Sequence, residues 1–521
     1  MGEGIGISRA EIIGALASAT VMTIGLSPDA PFSNTLLSLA LGRRVGLTPE
    51  QSAALYWYSL LRYAGCHAEN HAFSAIVGDE IAFNRGYAEI DTANPRELIP
   101  LLAGLIARNH AGEGTLKAWM AVLAGIATGQ RNAEAMIAGH CEVAEHLARR
   151  LGFEGRVIDA LGQFRERWDG KGLPFHVAGE DILIEVRIAA LCHDAALLDG
   201  LIGREEMLAT VRKRRGTAYD PGLVDAFLAN ADALLASASI PDPRAAVLTL
   251  EPGGTSALTG GEIDSACMVI ADFCDLQLPS GIRHSTAVAT LADHAAGQLR
   301  LPGAQRTDLY RAALLHDIGY SALPVRARGG HGDTRGIAGD VKLHPFHGEE
   351  IVGRIAGLSA VADILGRHHE APDGSGYFRG LSGVALSLPS RILAAAELYQ
   401  SVREGRFGAP PKDEAGAAQV IRFAVTAGTI DPDAGKAILA AAGHKVPVKR
   451  TGQVAGLTGR ELDTLRLAVT GMSMKEMGKR LGISPKTVDN HLQSIYGKIG
   501  VRTRAGATLF AIEHGLCELP K

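Results

Sequence analysis

The chain has 521 residues and a mass of 54.6 kDa, with 47% hydrophobic and 21% charged residues. This length predicts about three or four domains, and the composition excludes an intrinsically disordered protein. The formal net charge of −4 excludes a uniformly polybasic nucleic-acid binder. Residues 456–521, however, contain ten Lys and Arg against six Asp and Glu, so a basic segment follows an acidic body.

The six cysteines stand without any CxxC pairing, which is typical of reduced thiols in a cytoplasmic protein. Residues 12–26 form an apolar stretch that is too short to span a bilayer. This stretch also lacks the basic lead-in and the cleavage site of a signal peptide. We therefore expect a buried first helix, a cytoplasmic location and no membrane partner.

Apolar residues recur at helical spacing along the chain, for instance at Leu309, Ala312 and Ala313, and strand-like alternation is scarce. The sequence therefore predicts an all-α protein. Two segments rich in Gly and Pro, residues 241–261 and 444–456, are predicted linkers. They separate predicted domains over residues 1–240, 262–443 and 457–521.

A long internal repeat relates the first two predicted domains. At a constant shift of 204 residues, His140 falls on His344, Glu166 on Glu370 and Asp169 on Asp373. Further upstream, LYWYSLLRYAG at residues 55–65 matches LYRAALLHDIG at residues 309–319. The repeat predicts two copies of one helical domain, followed by a small basic domain.

The second copy concentrates histidines and acidic residues at the ends of predicted helices. Imidazole and carboxylate groups on separate helices can converge on a pair of metal ions. Such ions activate water and bind an attacked phosphate. The residues in this concentration are, in chain order, His284, His316, Asp317, His344, His347, His368, His369 and Glu370.

The pattern H…HD…H…HHExxDGxGY resembles the HD-GYP family of helical, metal-dependent phosphohydrolases, which typically cleave cyclic di-GMP. The resemblance covers about residues 281–443. It implies HD-type helical bundles and one or two divalent transition metal ions, with iron or manganese expected. It also implies catalytic roles for Asp317, Tyr320 and Asp373. The metal ligands that it implies are His284, His316, Asp317, His344, His368, His369 and Glu397.

Three positions depart from the pattern of the family. The lysine that follows the HD motif in the family is Tyr320 here, the proline of GYP is Phe378, and a second helical acid is Gln400. Because tyrosine cannot supply a cation that pairs with phosphate, these departures favour sensing over efficient hydrolysis. Two alternatives stay open: a cyclic di-GMP-type phosphodiesterase with a regulatory tail, and a dimerisation scaffold without metal.

The first copy lacks most of the ligands that the second copy has. In place of the two His-containing pairs and of Glu397, the first copy has Arg62, Tyr63, Phe164, Arg165 and His193. We therefore expect a structural or ligand-sensing role without a dinuclear centre. Cys66, His67 and His71 have a passable ligand spacing, but no other residue of the sequence converges on them.

The basic segment carries the capping signals of four short helices. Thr458 and Glu461 predict a capping box, a second helix over Met474–Leu481 ends at Gly482, and Ser484 precedes Pro485 at the start of a third. A fourth helix is predicted to begin near Thr503. Two short helices joined by a Gly-containing turn predict a helix-turn-helix whose second helix enters the major groove of DNA.

This segment resembles the LuxR/FixJ-type helix-turn-helix along its whole length. The resemblance implies a four-helix domain that binds double-stranded DNA and packs on Ala468, Met477, Leu481, Val488, Leu492 and Ile495. Asp489, Asn490 and Gln493 are predicted to meet base edges. The remaining predicted DNA-binding residues, which cap the helix or contact phosphates, are Ser484, Lys486, Thr487, His491, Lys498 and Arg504.

The combination favours a transcriptional regulator whose tandem HD-GYP-like domains sense a ligand or a metal and control the DNA-binding domain. A cyclic dinucleotide or another small molecule is the expected ligand. Because one helix-turn-helix reads few base pairs, we expect a homodimer on a two-fold-related DNA site.

Overall fold

The computed structural model describes residues 6–23, 25–65, 78, 80–110, 115–254, 257–276, 282–323, 341–406, 409–443, 457–514 and 516. In these residues the regular structure is helical, apart from isolated bridges between Arg165 and Leu173 and between Arg215 and Tyr219. The predicted all-α fold class is therefore confirmed. None of the helices in these ranges is both long enough and apolar enough to cross a lipid bilayer.

The chain divides into two compact units, and the first, the N-terminal unit, comprises Ser8–Ala257. Its helices are α1 (Arg9–Thr23), α2 (Ala30–Arg44), α3 (Pro49–Leu61), α4 (Glu80–Glu89), α5 (Pro95–Asn109), α6 (Thr115–Arg150), α7 (Arg156–Gly162), α8 (Ile184–Ile202), α9 (Arg204–Lys213), α10 (Pro221–Leu228), α11 (Ala231–Ala238) and α12 (Pro243–Thr249). Its main core lies between α2, α3 and α8, where Leu37, Tyr58 and Ile188 are fully buried.

The C-terminal unit contains the residues from Leu258 onward, together with Ile7. Its helices are α13 (Gly260–Asp275), α14 (His284–Gln298), α15 (Gly303–Leu315), α16 (His344–Gly353), α17 (Ser359–Leu365), α18 (Leu388–Glu404), α19 (Glu414–Ala427), α20 (Pro432–Ala442), α21 (Gly459–Val469), α22 (Met474–Leu481), α23 (Pro485–Ile499) and α24 (Arg504–Glu513). Helix α14 packs against α15, α18 and α20, and this bundle positions the candidate site.

Local sequence signals explain where several helices begin. Thr259 accepts a hydrogen bond from the backbone of Glu262, whose side chain bonds back, so a capping box starts α13. Thr458 and Glu461 form the predicted capping box of α21. Helix α22 spans the predicted residues and ends at Gly482, which has a positive φ of 69°.

The division between the units falls inside the predicted linker 241–261. Its first half is not an extended connection, because Pro243–Thr249 forms α12 with Asp242 as its cap. Val247 is fully buried, and its carbonyl accepts a hydrogen bond from the hydroxyl of Tyr56 at 3.1 Å. The Pro and Gly residues had suggested a linker, but the apolar residues between them pack into the N-terminal unit. The predicted linker 444–456 lies outside the described residues.

Two local arrangements occur in both units, at positions that the sequence repeat pairs. A Cβ on Gly65 would lie 2.2 Å from the carbonyl oxygen of His140, and a Cβ on Gly319 would lie 1.9 Å from that of His344. Glycine is needed at both places because any side chain would collide with the backbone. These matched contacts support the predicted repeat.

The second shared arrangement is a buried glutamate that holds a loop. Glu166 accepts hydrogen bonds from the backbone N–H groups of Phe175 and Val177. Glu370 accepts from those of Arg379 and Leu381. In both units the two N–H donors lie nine and eleven residues after the glutamate that accepts from them. The loop that follows each glutamate is therefore held in the same way.

Candidate metal centre and DNA-binding helix

Helices α14 to α18 bring the seven predicted metal ligands of the C-terminal unit into one buried cluster. Two groups of ligand atoms result, and the atoms within each group lie within 4.8 Å of one another. The first group contains His284, His316 and Glu397, and the second contains His344, His368 and His369. Asp317 lies between them, with its Oδ1 3.2 Å from Nε2 of His316 and 4.0 Å from Nε2 of His344.

Backbone carbonyls orient three of the imidazole rings. Nδ1 of His316, of His344 and of His368 lies 2.8, 2.7 and 2.5 Å from the carbonyl oxygen of the residue three positions earlier. A carbonyl can only accept, so Nδ1 carries the hydrogen and Nε2 keeps a lone pair. In all three rings that lone pair is available to a metal ion, which is how ligating histidines are usually held.

The carboxylate of Glu404 orients a fourth imidazole ring, that of His284. Nδ1 of His284 lies 2.6 Å from Oε2 of Glu404, and Nε2 lies 2.7 Å from Oε2 of Glu397. Gln400 donates to the other oxygen of Glu404 at 2.6 Å, so the residue that replaces the family's second acid positions this carboxylate. Glu404 was not among the site residues predicted from the sequence. The spacing could have indicated it, because Glu404 lies two helical turns after Glu397 on the same face of α18.

A buried arginine, also missed from the sequence, completes the cluster. The guanidinium of Arg406 donates to Oδ2 of Asp317 at 2.8 Å and lies 3.5 Å from Oε1 of Glu397. It also lies 2.5 Å from Nε2 of His284. Arg406 is only 4% exposed, so its charge offsets the carboxylates in a site with little solvent.

The electrostatics of the two ligand groups differ. Burial lowers the pKa of His344 to about 3 and that of His369 to about 4, so both rings are neutral near pH 7. Burial and Arg406 also act to lower the pKa of His284, but Glu397 and Glu404 outweigh them and raise it to about 10. Despite burial, Arg406 and His316 hold the pKa of Asp317 well below its usual range.

The donor set fits a divalent transition metal. Nε2 of His316 is buried and lies 3.2 Å from carboxylate oxygens of both Asp317 and Glu397, in a geometry that makes no hydrogen bond. Such a nitrogen is costly to bury unless something accepts its lone pair. Imidazoles and carboxylates together suit zinc, iron and manganese. The cluster could therefore hold a metal ion.

Of the predicted catalytic residues, two line the cluster and one does not. Asp317 lies between the ligand groups, and the buried ring of Tyr320 stacks on His344 with 4.1 Å between centroids. Asp373 is exposed and accepts hydrogen bonds from the backbone and hydroxyl of Ser375. The carboxylate of Asp373 closes the local turn and is in neither ligand group, and its catalytic role stays a prediction.

The paired positions of the N-terminal unit hold no such group among the described residues. Nε2 of His140 lies 3.0 Å from the carbonyl oxygen of Arg62, and its ring stacks on Phe164 at 3.8 Å. Nδ1 of His193 lies 3.2 Å from both the hydroxyl of Tyr63 and the amide of Asn34. Cys66, His67 and His71 lie outside the described residues.

Helix α23 has one apolar face that is buried in its domain and one polar face that is accessible to solvent. Val488, Leu492 and Ile495 are buried together with Ala468 and Met477, as predicted, whereas Leu481 is half-buried. The side chains predicted to meet base edges are accessible: Asn490 and Gln493 are exposed, and Asp489 is half-buried. Of the predicted phosphate contacts, Lys486 is exposed and His491 is half-buried.

Four predicted DNA-binding residues make contacts within their own domain. Ser484 accepts a hydrogen bond from the backbone N–H of Thr487 and caps α23. Lys498 donates to Glu461 at 2.7 Å. Arg504 donates to the carbonyl oxygens of Ala468 and Met472, both at 2.7 Å, and so ties α24 to the end of α21. The phosphate contacts of Lys498 and Arg504 stay predictions.

The chain matches two family models. Residues 268–434 match the HD domain family, and residues 455–511 match the bacterial regulatory proteins of the luxR family. The 3'3'-cGAMP-specific phosphodiesterase 3 of Vibrio cholerae is 27% identical over 76% of this chain and 86% of its own length. The transcriptional regulatory protein MctR of Rhizobium johnstonii is 42% identical over 12% of this chain and 28% of its own length.

A similar fold is found among solved structures. The crystal structure of a cyclic GMP-AMP-specific phosphodiesterase of V. cholerae superposes with a TM-score of 0.57 and 22% identity. The superposition covers 86% of this chain and all of that chain. The protein therefore combines an HD domain with a C-terminal domain of the luxR family of bacterial regulatory proteins.

Proposed function

We propose that the protein is a DNA-binding transcriptional regulator whose HD domain binds metal and responds to a small phosphate-bearing ligand. The match of residues 455–511 to the luxR family carries this proposal, because the chain then contains both a DNA-binding domain and an HD domain. The exposed Asn490 and Gln493 support it, since amide side chains pair with adenine edges in the major groove.

The metal would be held by His284, His316 and Glu397 on one side and by His344, His368 and His369 on the other, with Asp317 between them. A bound metal ion supplies Lewis-acid character and positive charge for a phosphate group. The carbonyl-oriented Nε2 atoms support this assignment, and iron or manganese is the expected metal.

Sensing is favoured over rapid turnover by the surroundings of Tyr320. Burial, and next the carboxylate of Asp317, raise the pKa of its hydroxyl well above the usual value, so Tyr320 stays neutral. A neutral hydroxyl can donate one hydrogen bond to a phosphate but cannot offset its charge. The site can therefore bind a phosphate-bearing ligand while it stabilises a transition state poorly.

The DNA-binding part is tested on the full-length protein by binding selections and salt titrations. Asn490→Ala or Gln493→Ala should weaken binding by about 1–3 kcal/mol and relax the preference at one base position. Lys486→Ala should weaken binding to all sequences alike and lower the salt slope by about one unit. Unchanged base preferences in both amide variants would contradict the placement of α23 in the groove.

We further propose that the regulator acts as a homodimer, because a single α23 contacts few base pairs. Footprinting should then reveal two half-sites related by a two-fold axis, about one helical turn apart. Sedimentation of the DNA complex gives the number of chains bound. A single half-site occupied by one chain contradicts the dimer and leaves the assignment of α23 intact.

A second candidate function is a cyclic-dinucleotide phosphodiesterase. The assembled ligand groups favour it, as does the relative in V. cholerae that is named a 3'3'-cGAMP-specific phosphodiesterase. Arg406, which contacts Asp317, offers a cation that Tyr320 does not. Turnover of 3'3'-cGAMP and of cyclic di-GMP with added manganese tests it. We expect slow turnover that Tyr320→Lys accelerates, and several turnovers per second in the wild type would favour the enzyme.

A further inference from the structure

A basic cavity lies within the N-terminal unit, away from the site described above. Its volume is 440 Å³, within the range of small-molecule pockets. Five arginines and two carboxylates line the cavity: Glu166 binds a backbone loop, and Asp194 accepts from the hydroxyl of Tyr219 at 2.7 Å and lies 4.0 Å from Nη1 of Arg214. The arginines are Arg62, Arg85, Arg165, Arg167 and Arg214.

Three of these arginines, Arg62, Arg85 and Arg165, form no ion pair with any residue that the structure describes. Arg62 is 3% exposed and donates to the carbonyl oxygen of Ala189, while its Nε has no hydrogen-bond partner there. The guanidinium of Arg165 lies 5.0 Å from the ring centroid of Phe164 and 5.6 Å from that of Tyr87. The five guanidinium groups outnumber the two carboxylates of the lining, so a bound anion would stabilise this cavity.

The histidines beside the cavity add no charge of their own. Burial lowers the pKa of both His140 and His193 to about 3, and neighbouring arginines contribute to each shift. The ring of His193 is held by Tyr63 and Asn34. The positive charge therefore comes from guanidinium groups, which bind phosphate oxygens through paired N–H donors.

The position of the cavity matters as much as its charge. Under the sequence repeat, Arg62 occupies the position of His316, Arg165 that of His369 and His193 that of Glu397. The N-terminal unit thus carries permanent cations at positions where the C-terminal unit carries metal ligands. Positive charge at the same framework positions suits the same class of anion, without a metal ion.

We propose that this cavity is a metal-independent binding site for a nucleotide with two negative charges. Arg62 and Arg165 pair with the phosphate groups, and a base stacks on Tyr87 beside Arg165. A linear nucleoside monophosphate and a cyclic dinucleotide both present this chemistry. The inference deepens the sensing part of the proposed function, because it places the signal in the N-terminal unit.

Calorimetric titration of the full-length protein in EDTA, without DNA, tests the proposal. The probes are 5'-GMP and 3'3'-cGAMP, with guanosine as the uncharged control. We expect one molecule of at least one phosphate-bearing probe to bind per chain, and guanosine to bind at least tenfold more weakly. The probe that binds tighter identifies the source of the phosphate.

Two variants locate the binding site. Arg165→Gln is half-buried and keeps a polar side chain, so it should fold and weaken binding by about 10-fold to 100-fold, the loss expected for a charge-assisted hydrogen bond. Arg215→Ala removes an exposed arginine that pairs with Asp225, and should leave the affinity unchanged. Equal affinity of wild type and Arg165→Gln, or no binding of either phosphate probe, overturns the proposal. Because neither metal nor DNA is present, that result leaves the proposed function standing.

Discussion

The N-terminal and C-terminal units place the same local framework around chemically different clusters. Gly65 and Gly319 each pack against a histidine carbonyl, and Glu166 and Glu370 each hold a loop by two backbone N–H groups. The groups that this framework presents are arginines in one unit and imidazoles with carboxylates in the other. The framework positions are therefore set by backbone contacts, and the chemistry can change without disturbing them.

The two units differ most in the balance of positive and negative side chains within each cluster. In the C-terminal unit Arg406 lies among carboxylates that are also proposed metal ligands, so it offsets only part of their negative charge. In the N-terminal unit five arginines and two carboxylates line the cavity, so its lining carries net positive charge. One unit is thus suited to a metal cation and the other to an anion.

The largest expected effect separates the units by metal content. The double variant His316→Ala, Asp317→Ala removes one ligand from the first group and the carboxylate between the groups, so bound metal should fall from one or two ions to nearly none. Elemental analysis of protein purified without chelator measures it. Tyr63→Phe at the paired position of the N-terminal unit is the control and should leave the metal content unchanged. Metal retained in the double variant would falsify the assignment.

The helices of the helix-turn-helix were predicted well from the sequence, because their ends depend on local signals. The capping box at Thr458, the stop at Gly482 and the cap at Ser484 are read from neighbouring residues. His316 and Asp317 stand together at the end of α15, where their role is visible in the motif.

What the sequence did not reveal depends on distant contacts. Glu404 and Arg406 meet His284 across 120 and 122 residues of chain, and no periodicity shows that encounter. The sequence likewise predicted that the N-terminal unit lost its metal ligands. It did not predict that Arg62 and Arg165, which replace two of them, line a cavity.

The second prediction concerns the internal cation of the C-terminal unit. Arg406→Met leaves buried carboxylates without their partner, so the free energy of unfolding in EDTA should fall by about 3–5 kcal/mol. Added manganese should reduce this loss because a bound cation offsets the same carboxylates. Urea unfolding with and without metal measures both values.

The control for Arg406 is a surface pair of the same unit. Arg306 bonds Asp293 with its guanidinium 43% exposed, so Arg306→Met should cost about 0–1 kcal/mol with or without metal. If both arginine variants lose the same stability, Arg406 does not balance the charge of the cluster.

The third prediction tests the shared framework directly. Gly319→Ala and Gly65→Ala each place a methyl group within 2.2 Å of a histidine carbonyl oxygen, so each should destabilise its own unit by about 3 kcal/mol. Gly297→Ala in α14 and Gly200→Ala in α8 are helical controls with room for a methyl group. They should stabilise by about 0.5–1 kcal/mol, since alanine favours the helix. If only one of the two units tolerated the methyl group, the conclusion that both units share this backbone contact would be contradicted.

The smallest expected effect concerns the paired glutamates. In Glu370→Gln and Glu166→Gln the amide oxygen can still accept from one backbone N–H, but the new NH₂ group faces the other N–H and cannot accept. Each variant should therefore lose about 1–2 kcal/mol of unfolding free energy, the cost of one unsatisfied buried donor. The two losses should agree within about 0.5 kcal/mol because both glutamates bind their loops through equivalent contacts. Urea unfolding of both variants, with the exposed Glu350→Gln and Glu206→Gln as controls, measures the difference. A large loss in the C-terminal unit alone would mean that Glu370 also supports the neighbouring His369, and the loops would then be alike in shape but not in function.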